Sequence, residues 1–253
     1  MKALTAVVVT ALLTFSACAF AQDVIPYGTI LPVQLNSSLS LKAKPGQIIT
    51  GRIMQDVPLS NGTKIREGSS VIGHVIMIAP GAEGAMARIS FTFDHLAVSK
   101  QIIPITTNLR AIASFVEVES AQIPESGPDR GTPQDAWSTV QVGGDVVYRG
   151  GGPVMEGSRV VGTPAYDGVL SRVSSRSGTK CHGAIDANQQ PQALWIFSSN
   201  ACGTYGFSHI AVVHAGRSNP VGEIVLTSDR ASLNIGSGSG MLLRVIAGSE
   251  KTR

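Results

Sequence analysis

The sequence is poor in charge and has no basic run. Charged residues make up only 15% of its 253 residues, a fraction that is low for a cytosolic protein and common in secreted β proteins. The net charge is +3, and the lysines and arginines are too evenly spread to form a patch. Nucleic acid is therefore excluded as an expected partner.

Signatures of common enzyme and cofactor sites are also missing. The sequence has no G-x-S-x-G nucleophile elbow and no zinc-binding H-E-x-x-H. The glycine-rich run at 150–152 is not followed by the GK[ST] of a phosphate-binding loop. We expect no catalytic residue, no metal ligand and no cofactor, and we interpret the histidines as surface or structural residues, listed as His74, His95, His182, His209 and His214.

The N-terminus has the pattern of a secretory leader. Lys2 provides a positive charge, residues 3–17 are apolar and uncharged, and residues 19–21 form a small-x-small cleavage motif. We predict a signal peptide over residues 1–21, with cleavage between Ala21 and Gln22. The apolar run is too short to span a bilayer comfortably and no second run follows, so no transmembrane segment is expected after leader removal.

An alternative processing route would use Cys18. Residues 15–18 resemble a bacterial lipobox, in which this cysteine would carry a lipid anchor. Phe15 is uncommon at the first position of that motif, so we favour ordinary cleavage. Either route predicts an exported protein that is periplasmic, outer-membrane associated or extracellular.

The sequence has only three cysteines, and this small number limits the bonds that they can form. Beyond the leader only Cys181 and Cys202 remain, and an oxidising compartment favours a disulfide between them. The bond would close a loop of about 20 residues. A metal site that adds His182 is the alternative, but it lacks the close CxxC spacing of zinc sites. Trp195 is expected to pack against the disulfide.

The sequence also lacks long helical periodicity, and short strands take its place. Apolar side chains alternate in two segments, 31–35 and 89–93, and turn signals recur every 8–12 residues. Pro45-Gly46 and Asn61-Gly62 are such turn signals. The predicted fold is mainly β: a single barrel or sandwich of short antiparallel strands with a long Gly/Pro-rich insertion.

Four finer expectations follow from the strand pattern. Gly73 should mark a bulge or a bend within the strand at 71–78. Residues 109–120 are ambiguous between helix and strand, and we favour a strand. The apolar run 193–197 is strand-like. Residues 241–247 carry apolar groups on both faces, so they should form a near-central strand that pairs with the N-terminal strands.

Composition divides the chain into four predicted parts. Residues 122–134 form a polar Pro/Gly-rich linker. The four parts are a signal peptide (1–21), the N-terminal part of the barrel (22–121), an insertion (122–180) and the strands that complete the barrel (181–253). The insertion is either an excursion from the barrel or a domain of its own.

The turns of residues 25–110 resemble those of a known family. Gly28-Thr29-Ile30, Pro45-Gly46, Gly62-Thr63 and the segment 65–73 are similar to the motifs of the TrbI-like β-barrels of conjugation and type IV secretion outer-membrane complexes. The spacing is less closely similar to the SAF-like β-clip. Arg66 departs from the family's usual proline, and the family's membrane anchor and Pro-rich periplasmic linker are not found. The resemblance therefore implies a barrel more than a role in secretion.

Three functions remain as hypotheses. The first is a structural or interaction protein of the cell envelope, whose partners would be other envelope proteins or further copies of itself. The alternative is a secreted binding module for a glycan, peptide or lipid that uses the insertion at 122–165. A hydrolase is the third.

Overall fold

A computed structural model describes residues 25–82, 85–123, 138–144, 146–149, 153–156, 158–174 and 190–248. The first elements are β1 (Ile30–Leu35), β2 (Leu39–Ser40), β3 (Ile48–Ile53), β4 (Val57–Pro58), β5 (Lys64–Ile65), β6 (Ser70–Ala79), β7 (Ala87–Val98), β8 (Gln101–Ala113) and the helix α1 (Phe115–Gln122). The later strands are β9 (Ser138–Val140), β10 (Val146–Arg149), β11 (Val154–Glu156), β12 (Arg159–Ala165), β13 (Gly168–Ser171), β14 (Gln192–Ala193), β15 (Gly203–Tyr205), β16 (Ile210–His214), β17 (Ile224–Ser228), β18 (Asn234–Ile235) and β19 (Gly240–Gly248).

Six of these strands form a closed antiparallel β-barrel, in the order β1-β3-β6-β7-β8-β19 and back to β1. The prediction of a mainly β fold built on a barrel of antiparallel strands is confirmed. Closure pairs both edges of the ring, so the ring itself leaves no open edge.

The barrel interior is filled by the alternating side chains that the sequence pattern singled out. Leu31 and Val33 of β1 and Ile89, Phe91 and Phe93 of β7 are fully buried. The two phenylalanine rings meet edge to face, with centroids 5.9 Å apart. Burying a side chain of this size stabilises the fold by roughly 1.5–3 kcal/mol, so these strands supply much of the core.

The last strand closes the ring. β19 lies between β8 and β1, and Leu31 pairs with Leu243 while Val33 pairs with Met241. The prediction that residues 241–247 form a central strand beside the N-terminal strands is confirmed. Leu242, on the other face of β19, is also buried, because a second layer covers the outside of the barrel here.

The second layer is a six-stranded antiparallel sheet, in the order β14-β13-β12-β11-β10-β9. We call it the covering sheet. Strands β9–β13 lie within residues 122–180, the segment predicted as an insertion. Apolar side chains of the covering sheet, of α1 and of the segment after β14 pack on the outer faces of β1, β8 and β19. The barrel contributes Ile30, Ala111 and Leu242 to this cluster, and the other elements contribute Val118, Val169 and Phe197. A second core therefore joins the covering sheet to one flank of the barrel.

Buried glutamines hold the two layers in register. Gln55, which is fully buried, accepts a hydrogen bond from the backbone N–H of Trp195 (2.7 Å) and donates one to the carbonyl of Val169 (2.9 Å). Gln192 accepts from the backbone N–H of Ile30 at 3.0 Å. Side-chain amides thus bond to backbone groups at the junction of the two layers.

The structure has the predicted turns and the bulge at three glycines of the N-terminal part of the barrel. The β6–β7 register shifts between Ile72 and Gly73, which confirms the bulge. Gly46 and Gly62 have φ of +81° and +80°, the left-handed region that glycine tolerates best. Asn61-Gly62 forms the turn of the β4–β5 hairpin.

Two strand expectations need correction. Residues 109–120 are a strand only as far as Ala113, because Ser114 begins helix α1 by accepting a hydrogen bond from the backbone N–H of Glu117. In the run 193–197 strand β14 ends at Ala193, a buried turn follows in which Trp195 has φ of +52°, and Phe197 forms an isolated parallel bridge with Val142. Apolar side chains of both segments lie in the second core, among them Val118, Trp195 and Phe197.

Candidate functional site

The barrel has a second flank, which the covering sheet leaves exposed in the described structure. It consists of the outward side chains of β3, β6 and β7 and of the start of β8, and we call it the open flank. Ile48 of β3 is 61% exposed and Ile102 of β8 is 66% exposed. β6 and β7 separate these two strands in the ring, so the two isoleucines lie at the two borders of the open flank.

Between these isoleucines lies a hydrogen-bonded polar group. His74 Nδ1 is 3.0 Å from one carboxylate oxygen of Asp94, and His95 Nδ1 contacts the other. Ile48 lies directly opposite His74 across β3 and β6, and Ile72 lies opposite His95 across β6 and β7. The β-bulge at Gly73 makes this arrangement, because Asp94 is the extra residue on β7 and shares its surface with both histidines.

The described histidines lie beside carboxylate and carbonyl oxygens. Within the described part of the chain, no cluster of three or more His, Cys, Asp or Glu side chains is placed to hold a metal ion. The ring nitrogens of His209 and His214 bond the Asp229 carboxylate and the Asn219 carbonyl. None of these four histidines is hydrogen-bonded to a described serine or cysteine side chain, as a nucleophile–base pair requires. His182 lies outside the described residues.

A second cluster of charge lies where the covering sheet meets the barrel. A hydrogen bond from Lys64 and a second from the backbone N–H of Glu67 (2.9 Å) lower the pKa of Asp56. A side-chain hydrogen bond with Asp167, at the tip of the β12–β13 hairpin, raises the pKa of Glu67 above its ordinary value of 4.5. Partial burial and the negative charge of Asp167 act in the same direction. A carboxyl pair therefore links the hairpin tip to the barrel.

The predicted disulfide lies only partly in the described structure. Cys202 is 2% exposed and belongs to the second core, as does Trp195. The indole of Trp195 meets the ring of Phe197 at 6.5 Å between centroids. Cys181 lies outside the described residues, as do Cys18, Ala21 and Gln22, so the disulfide, the lipid anchor and the cleavage site stay predictions.

Sequence reasoning missed the buried polar side chains outside the barrel. Arg110 is 4% exposed and donates hydrogen bonds to the carbonyls of Ser199 (3.1 Å) and Ser174 (3.5 Å). Arg244, on the neighbouring strand, is 8% exposed. A lone arginine inside an apolar strand, as in LRAIA and LLRVI, is the sequence signal that would have identified both.

The fold defines the class of protein: a closed antiparallel β-barrel with one flank covered by a second sheet. The chain matches no protein-family model, and no similar curated protein is found. The likeness of its turns to the TrbI-like family therefore remains a prediction from the sequence.

A membrane-spanning helix is not found within the described ranges: α1 is short, and no helix there has the length and apolar character that a bilayer crossing needs.

Proposed function

We propose that the protein is an exported cell-envelope interaction protein that binds a partner, or another copy of itself, through the open flank. The observation that carries the proposal is the asymmetry of the barrel surface. One flank is sealed by the covering sheet, while the other presents Ile48 and Ile102 to solvent around the His74–Asp94–His95 group. A mixture of apolar and polar side chains is typical of non-obligate interfaces.

The sequence supports the location of this activity. The leader pattern, the low charge fraction and the TrbI-like turns all favour an envelope protein. Assembly through a barrel wall would also suit the resemblance, since the TrbI-like barrels belong to multi-subunit complexes. A mature N-terminus at Gln22 in a periplasmic or secreted fraction would support export; retention of residues 1–21 would contradict it.

Site-specific photo-crosslinking tests the open flank. A photoreactive residue placed at Ile48 or Ile102 should yield a larger crosslinked species in cells. Val160 and Val213 provide matched controls, since they are apolar and 59% and 62% exposed but lie on β12 and β16. Equal crosslinking at all four positions, or none at the open flank, would contradict the proposal. Mass determination of the product distinguishes self-assembly from a different partner.

A second candidate is a binding module for a glycan, peptide or lipid. It is favoured by a depression of about 430 Å³ in the covering sheet, whose lining includes Arg159, Val161, Leu170 and Arg172. Ligand pockets are typically concavities of roughly 300–1,000 Å³ with a few polar groups. A ligand that raises the melting temperature of the parent chain but not of Arg172→Ala would favour this function over the first.

The predicted Cys181–Cys202 disulfide is part of the proposal because it requires an oxidising compartment. Free-thiol titration of the denatured, unreduced mature protein should find no thiol. Replacing either cysteine by serine should lower the free energy of unfolding by roughly 2–5 kcal/mol. Two titratable thiols per mature chain would rule the bond out.

A further inference from the structure

A group of basic side chains lies on the outer surface of β8 and β19, away from the open flank. Leu109 and Ala111 of β8 pair with consecutive residues of β19, so Arg110 between them is the extra residue of a bulge. Asn108 lies directly opposite Arg244 across the two strands. The bulge therefore brings two arginines and an amide together on one face of the barrel wall.

The loop that follows β16 adds a third arginine. It is held against β8 by a hydrogen bond of 2.9 Å from the backbone N–H of Leu109 to the carbonyl of Ala215. At Gly216 an added Cβ would lie 3.2 Å from the Thr107 carbonyl oxygen, so the loop lies directly against the strand. Arg217, the next residue, lies over the same stretch.

The electrostatics agree with this convergence. Burial is the main reason that the pKa of Arg110 is lowered to about 10; the positive charges of Arg217 and Arg244 contribute to this lowering, and Tyr205 acts in the opposite direction. Like charges raise each other's free energy when they are close and poorly hydrated. The three guanidinium groups therefore act on one another through a partly dehydrated region.

The polar atoms of this region are mostly donors. Asn108 is 1% exposed, and its Nδ2 amide group has no hydrogen-bond partner in the described structure, although buried polar groups nearly always have one. Glu223, at the far end of the loop, accepts a hydrogen bond from Ser90 on β7 instead. Arg217 is only half-buried and opens the region to solvent.

We propose that Asn108, Arg110, Arg217 and Arg244 form a binding site for a small oxyanion, a carboxylate or a phosphate. Guanidinium groups donate paired N–H bonds that match the oxygens of these anions, and the Asn108 amide supplies a further donor. Such an anion offsets the cost of holding like charges in a dehydrated place. The arginines also make other contacts, which the anion would join. The site is on the covered side of the barrel, so it is independent of the open flank.

Thermal unfolding at constant ionic strength tests the site. Sodium phosphate and sodium acetate are each titrated against sodium chloride with the full mature protein. We expect at least one oxyanion to raise the melting temperature with saturation, because a ligand that binds only the folded state stabilises it by mass action. The oxyanion with the larger shift identifies the preferred group. Equal melting temperatures in phosphate, acetate and chloride would overturn the proposal.

Two variants that each remove one positive charge show where the oxyanion acts. Arg217→Gln should abolish the oxyanion-dependent shift, whereas Arg230→Gln, at an exposed turn after β17, should keep it. Equilibrium dialysis of the parent chain with labelled phosphate and labelled acetate gives a measurement that needs no variant. An oxyanion shift that survives in Arg217→Gln, or no retention of either anion in dialysis, would show that the site is wrong.

Discussion

At the residue scale, position 73 illustrates how a single small side chain shapes the open flank. A Cβ added to Gly73 would lie 1.8 Å from the backbone carbonyl oxygen of Thr92. The strands approach this closely only because glycine has no side chain. The same bulge places Asp94 between His74 and His95.

Gly73→Ala is therefore expected to lower the free energy of unfolding by about 1–3 kcal/mol, since the added methyl group forces the strands apart. Urea unfolding measures the loss. Gly236→Ala is the control, because nothing lies within 4 Å of a Cβ there. It should change stability by less than about 1 kcal/mol. Equal losses in the two variants would show that close strand approach is not the reason for Gly73.

Glu67 gives a pH-dependent prediction. Its pKa is raised in the folded state by the hydrogen bond with Asp167, so its contribution to stability is present at pH below 4.5 and is lost as the pH rises through the raised pKa. The free energy of unfolding of the parent chain should therefore decrease relative to that of Glu67→Gln as the pH increases from 4 to 7. Urea unfolding at several pH values measures this difference.

The control for that experiment is Glu119→Gln, at an exposed position of α1. Its difference from the parent should vary less over the same pH range, because Asp167 is not its neighbour. If the difference in free energy of unfolding between the parent and Glu67→Gln does not change with pH, the carboxyl pair does not couple to folding.

At the element scale, helix α1 shows how a local signal ends a strand. Ser114 has extended backbone angles, and its hydroxyl accepts from the Glu117 N–H at 3.4 Å. The helix then buries Val118 and Ala121, three residues apart, against the second core. The capping serine and this spacing were present in the sequence but were outweighed by the alternation at 115–118.

Ser114→Ala should lower the free energy of unfolding by about 1 kcal/mol, because an orphan N–H at the start of the helix loses its acceptor. Thermal or urea unfolding measures it. Ser120→Ala, an exposed position in the same helix, should stay within about 0.5 kcal/mol of the parent. A larger effect at Ser120 than at Ser114 would contradict the capping role.

At the scale of the whole molecule, stability depends on how the covering sheet attaches to the barrel. Gln55 lies at this junction and spans it with both ends of its amide. Its two partners are backbone groups of Trp195 and Val169, and the Val169 carbonyl also accepts a hydrogen bond of 3.1 Å from the backbone N–H of Leu194.

Gln55→Leu should therefore lower the free energy of unfolding by about 1–3 kcal/mol, since it leaves the Trp195 N–H without its acceptor and removes one of two donors to the Val169 carbonyl. Gln101→Leu makes the same chemical change at an exposed position of β8 and should be nearly neutral. Denaturant unfolding of both variants measures the difference. Identical midpoints would mean that the layers are held together by apolar packing alone.

Much of the fold was readable from the sequence because its signals are local. Alternation at 31–35 and 89–93 reports which side chains face inward, and glycine at positions 46, 62 and 73 reports where the backbone turns or bulges. Each signal involves residues a few positions apart. The two apolar faces of residues 241–247 were also sufficient to predict a strand covered on both sides.

Tertiary structure alone decided which flank of the barrel is covered and which residues are buried under the covering sheet. The pairing of His74 with Asp94, the attachment of Gln55, and the meeting of Arg110 with Arg217 and Arg244 each join segments that are distant in the chain. Long-range pairing is set by the summed packing of both layers, which no local pattern encodes. The sequence by itself therefore determined strands, turns and the predicted leader, and the assembled layers determined the candidate sites.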